Sequence, residues 1–116
     1  VLITYANVKN ELPNIIDEEG DEFVYLPPFG SNGTCRYVHN GMGSCLIGRY
    51  LISKGVPIEN FERHEGQDVS DAIDTGLLEG TGITVEPEAI MAMNAVQYHQ
   101  DNTEEWGVAY SKVFEH

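Results

Sequence analysis

The residues with the most chemical potential sit in one short stretch, Asn40-Gly41-Met42-Gly43-Ser44-Cys45, with His39 before it and Cys35 earlier still. A glycine-containing loop here feeds the start of an expected helix. Free backbone N–H groups and the helix dipole make such an end a potential anion site, with Gly41, Gly43, Ser44 and Cys45 as the ligand-binding candidates. The same field lowers a thiol pKa, so Cys45 is a candidate nucleophile and His39 its candidate base. The spacing matches neither phosphate-loop fingerprint. The plainer role of a cysteine beside Leu46 and Ile47 is that of a small buried hydrophobe.

Metal chemistry is a second use of the same residues. Cys35, His39 and Cys45, with His64 or His99 as a fourth donor, form a set that zinc accepts. No C-x-x-C pair nucleates it, and no cofactor is expected. The carboxylates from Asp17 to Asp21 lack the alternation and terminal Glu of a calcium loop and are expected to be solvated. Glu59, Glu62, Glu65 and His64 carry acid–base groups at a spacing that fits an exposed polar face. Trp106 and the tyrosines at helical spacing are expected in the core.

The elements that must position these groups are mostly helical. Thr4 is placed to cap a helix with Tyr5, Val8, Leu12, Ile15 and Ile16 on one face, and Pro13 is expected to break or kink it. The acidic run Asp17 to Glu22 is expected to be a connection. Phe23–Leu26 has strand character and stops at Pro27-Pro28; Thr34–Val38 is a second short strand, and the two are expected to pair as a ribbon. Asn40-Gly41 favours a tight turn. Ser44 is a candidate N-cap for a helix carrying Leu46, Ile47, Tyr50 and Leu51, closed by Gly55 and Pro57.

Pro57 opens a short helix ending at Gly66. Asp68 or Ser70 caps another turn through Ala72 and Ile73, and Leu77-Leu78 anchors an irregular segment. Pro87 begins a longer helix with Ala89, Ile90, Met93 and Val96 inward. Asn102 and Glu105 have the pattern of a capping box, followed by Trp106, Ala109, Tyr110 and Val113 at helical spacing. The last two helices are expected to form an antiparallel hairpin. The whole reads as one domain, 1–116, of the α+β class and helix-dominated: four to five helices around one core with a short two-stranded β element near Phe23–Val38.

Charge narrows the function classes. The formal net charge is −13, well outside the magnitude of about 2–8 usual for a small soluble domain. Direct binding to nucleic acid or to an anionic membrane is disfavoured, because both need a basic footprint. A partner protein with a basic surface is favoured. There is no secretion signal or membrane span in the pattern, so the expected setting is a reducing cytosol with free thiols. A disulfide would require export. The oligomeric state is not readable.

The segments Phe23–Pro28, Thr34-Cys35-Arg36-Tyr37-Val38-His39-Asn40-Gly41, Ser44-Cys45-Leu46-Ile47-Gly48-Arg49 and Gly55-Val56-Pro57 together resemble a group of small proteins of actinobacteria and their phages. The motif is C-x-Y-V-x-x-G followed by S-C-L-x-G-R. The tail from Ala95 to Gly107 is similar to theirs. Gly43 stands where that group usually has Pro. The resemblance implies a phage-encoded protein in the bacterial host cytosol and no reaction. The leading expectation is an accessory protein that binds a host macromolecule, with mimicry of nucleic-acid charge as its narrower form. The alternatives are a ligand-binding or thiol-dependent enzyme domain centred on Cys45, and a small zinc-stabilised module.

Overall fold

A computed structural model describes residues 1–26 and 36–115. The Pro27-Pro28 stop, the start of the second strand and Cys35 lie outside the described residues. The described chain runs β1 (Leu2–Ile3), α1 (Tyr5–Glu19), β2 (Val38–His39), β3 (Met42–Gly43), α2 (Leu46–Ser53), a 3-10 turn (Ile58–Phe61), α3 (Val69–Asp74), β4 (Thr84–Val85), α4 (Pro87–Asp101) and α5 (Trp106–Phe114). The fold is helix-dominated α+β. Its radius of gyration, 12.9 Å, is what a folded chain of this length requires.

The helices bury the stripes their spacing dictates. In α1 the buried residues are Val8, Leu12, Ile15 and Ile16. Thr4 caps it: its side chain accepts from the Asn7 N–H, and the Asn7 side chain accepts from the Thr4 N–H. Pro13 does not break the helix. Proline removes the N–H that would pair with the carbonyl four residues back, at Lys9. That carbonyl accepts a hydrogen bond from the Tyr110 hydroxyl at 2.5 Å instead. A residue of α5 thus supplies the donor that α1 lacks. The helix also runs on through Asp17, Glu18 and Glu19, where a connection was expected. Gly20, at φ +96°, ends it with its N–H on the Ile16 carbonyl.

The β structure is arranged differently from the expected ribbon. The antiparallel pair is β2 with β3, registered Val38 to Gly43 and His39 to Met42 around Asn40-Gly41. Asn40 at φ +54° and Gly41 at φ +76° make a two-residue turn of the kind this dipeptide favours. Val24 bridges to Glu105. β1 pairs in parallel with β4, a contact spanning most of the chain. The helix expected after Pro57 is a single 3-10 turn.

α4 packs against α1, α2, α3 and α5 and so holds the core together. Ala89, Met93, Val96 and Ala92 are buried on it. Asn102 follows its end, and the expected Asn102–Glu105 capping box does not form: α5 starts at Trp106 with no side-chain cap. Backbone supplies the cap. The Trp106 N–H donates to the Phe23 carbonyl at 2.8 Å and the Gly107 N–H to the Asp21 carbonyl at 2.9 Å. Trp106 is fully buried, as expected, with the Phe23 ring on its edge at 4.5 Å and the Arg49 guanidinium 5.4 Å from its ring centre. Among the described residues, no helix is long and apolar enough to cross a membrane.

Candidate functional site

The stretch that holds the reactive residue types is tied inward. The Ser44 N–H donates to the Tyr37 carbonyl at 2.9 Å, and the Cys45 N–H to the Arg36 carbonyl at 3.1 Å. The Ser44 hydroxyl lies 3.0 Å from the Tyr25 hydroxyl. Cys45, not Ser44, is the N-cap residue of α2 and makes no side-chain cap. The first N–H of the helix, on Leu46, donates to Gln100 Oε1 at 2.9 Å inside the core. Gly41 takes the turn and Gly43 is in the β2–β3 ladder. An anion arriving at this helix end would have to displace a buried amide from Leu46, so the four residues expected to bind a ligand do not form an open cradle.

The thiol reading fails more directly. Cys45 is fully buried and disulfide-bonded, so it has no thiolate to offer in this form. This corrects the expectation of free thiols in a reducing setting. His39, the candidate base, is exposed on β2. Burial of one partner and exposure of the other separate the Cys–His pair that nucleophilic chemistry needs.

The donors of the zinc set are likewise engaged elsewhere. His64 is buried, with Nδ1 2.8 Å from Gln67 Oε1 and 3.2 Å from the Thr75 hydroxyl. His99 Nδ1 sits 2.7 Å from Glu104 Oε2. Cys35 lies outside the described residues. Among the described residues no three His, Cys, Asp or Glu side chains are grouped to hold a metal.

Glu65, expected on an exposed polar face, is structural, and so is Glu11. Glu65 accepts from the Tyr37 N–H at 2.7 Å and the Val38 N–H at 3.2 Å, and lies 3.6 Å from Arg36 Nε. Glu11 accepts from the Tyr50 hydroxyl at 2.7 Å and from Lys54 Nζ at 3.0 Å. The Tyr50 bond, then the Lys54 bond, holds its carboxyl below the ordinary range. Burial foremost, and then Glu11, push the Tyr50 hydroxyl up, so it stays a neutral donor. At the α4–α5 corner Glu104 is held low by Lys112 and, less, by His99.

The polar core rests on two glutamines the apolar pattern passes over. Gln97 Oε1 accepts the Val69 N–H, the first of α3, at 2.7 Å. Its Nε2 donates to the Tyr37 hydroxyl at 3.0 Å, which donates on to the Gln67 carbonyl at 2.6 Å. Gln100 does for α2 what Gln97 does for α3. One side of α4 therefore caps two neighbouring helices, and a buried amide is well suited because it both accepts and donates. The only sequence signal is position: Gln97 and Gln100 fall on the stripe of Ala89, Met93 and Val96.

The outer side of α4 differs. Tyr98 is 66% exposed and Met91 71% exposed. A hollow of about 410 Å³ lined by Ser70, Met91, Asn94, Ala95, Tyr98 and His99 lies on one side of the tyrosine. A second, of about 300 Å³, is bounded by Asp68, Asn94, Gln97, Tyr98, Asp101 and Asn102. A third hollow, about 640 Å³, is an open cleft between α1 and α5 with Asp21, Glu22, Glu105 and Glu115 among its residues. Further hollows lie beside the 3-10 turn, among Glu59, Glu62, Arg63 and Thr75, and between Glu11 and Tyr50. Comparison with protein-family models, with characterised proteins and with solved structures found no match.

Proposed function

We propose that this chain is an acidic binding protein that docks on a macromolecule with a basic surface, a phage-encoded accessory factor acting on a host protein. The carrying observation is the net charge of −13 set on exposed carboxylates, while Cys45 is held in a disulfide and buried apart from the exposed His39. Asp17, Glu18, Glu62, Asp71, Asp74 and Glu88 are all exposed. Such a surface raises the encounter rate with a basic partner and repels acidic ones, in a salt-dependent way. The narrower form is mimicry of nucleic-acid charge, with carboxylates standing in for phosphates.

The test is affinity capture from an actinobacterial host lysate over a salt gradient. The expected result is a basic, nucleic-acid-associated protein that elutes as salt rises and is competed off by duplex DNA. Recovery of nothing, or of salt-insensitive partners alone, overturns the reading. Action in the host cytosol requires binding to persist when the Cys45 disulfide is reduced; an exported site of action does not. Repeating the capture with reductant decides between those two settings.

A further inference from the structure

The outer face of α4 combines three features. Two large side chains, Met91 and Tyr98, are solvent-exposed seven residues apart, which puts them on one side of the helix two turns from each other. Hollows lie on both sides of Tyr98. The chain from 68 to 102 that builds this face carries seven carboxylates and no Lys or Arg. Aromatic and methionine side chains are enriched at interface centres, where desolvation makes their contacts count.

The charge selects the occupant. A second copy of this chain, an acidic protein or an anionic membrane would bring like charge against Asp68 and Asp101. Asp68 already accepts the Asp71 N–H and Asp101 accepts from Gln100 Nε2; a cationic side chain beside the tyrosine would meet the remaining charge of both at the edge of the smaller hollow, and the ring face as well. The larger hollow, walled by Met91 and Ala95, suits an aliphatic side chain. We propose that this face docks an amphipathic basic segment of a partner protein, with an arginine beside Tyr98 between Asp68 and Asp101 and an aliphatic residue against Met91. This rests on the proposed binding function and assigns it a surface.

The test is a titration of the isotopically labelled chain, at low salt, with a dodecapeptide of leucine and arginine that is amphipathic as a helix. A leucine–glutamate counterpart serves as control. The expected result is saturable shifts of backbone amides between Met91 and Asp101. Tyr98→Ala should weaken binding about tenfold. Asp68→Asn with Asp101→Asn should weaken it and flatten its salt dependence. Asp68 is exposed and caps α3, and Asp101 is half-buried against Gln100, so unchanged amide signals of α2 and α3 are the check that the variant is folded.

Binding that maps to the α1–α5 cleft, or that Tyr98→Ala leaves unchanged, overturns the assignment while leaving a basic partner in place. Equal binding of the glutamate peptide, or self-association through the same amides, also overturns it. Failure of the arginine peptide and of the lysate capture together removes both proposals. Failure of the peptide alone, with a basic host protein captured and unaffected by Tyr98→Ala, removes only this one.

Discussion

The junction leading into α2 and the outer face of α4 are opposites. The first gathers cysteine, histidine, serine and glycine, the residue types from which reactive sites are built. Folding turns Ser44 and Cys45 inward, where their amides and the Ser44 hydroxyl meet Tyr37, Arg36 and Tyr25 and the Leu46 amide meets Gln100, and leaves His39 outside. The second consists of methionine, alanine, asparagine and tyrosine, chemically plain, yet leaves them in contact with water. Reactive residue types do not make a site when each polar group already has a partner. Exposure of Met91 and Tyr98 is what distinguishes the α4 face.

That comparison predicts large stability losses on the inner side and small ones on the outer. The largest is expected for Gly48→Ala. A Cβ at Gly48 would stand 2.3 Å from the Tyr37 carbonyl oxygen, and backbone cannot yield as a side chain would. Alanine gains about 1 kcal/mol of helix propensity over glycine, but overpacking of this kind costs about 3 kcal/mol. Urea unfolding should show the midpoint falling, and an unchanged midpoint would mean α2 does not pack so closely on Tyr37.

Gln97→Leu comes next. It keeps the volume and strands the Val69 N–H in the core, a loss of about 1.5 kcal/mol by the same measurement. Tyr98→Ala should change stability by less than about 0.5 kcal/mol. Were the Tyr98 variant to lose as much as the Gln97 variant, the division of α4 into a structural and a docking side would collapse.

The smallest effect concerns pH. Glu11 has its pKa lowered in the fold by Tyr50 and then Lys54. A lowered folded pKa gives stability that is fully present above the unfolded carboxylate value, about 4.5, and is lost as pH falls through the folded value. Between pH 5 and 3, roughly the window this shift defines, the native chain should lose stability more steeply than Glu11→Gln. Parallel curves would show that Glu11 contributes nothing through its charge.

Local sequence determined what local physics controls. Thr4 and Asn7 form their capping box because both partners lie within one turn. Asn40-Gly41 turns the chain because these residues tolerate positive φ. The apolar stripes of α1, α2 and α5 mark their buried faces, and helical predominance follows from the same patterns, while the antiparallel pair sits around Asn40-Gly41 and does not join Phe23–Leu26 to Thr34–Val38. The contacts that decided the rest join residues far apart in the chain: β1 with β4, Tyr110 with the carbonyl Pro13 leaves free, the Phe23 carbonyl with Trp106, and Gln97 and Gln100 with the starts of α3 and α2. A hydrogen-bond partner brought in by folding leaves no periodicity in the sequence. Hence the Cys45 region reads as reactive in one dimension and is sealed in three, while the exposure of Tyr98 emerges only once α4 has turned its other side to the core.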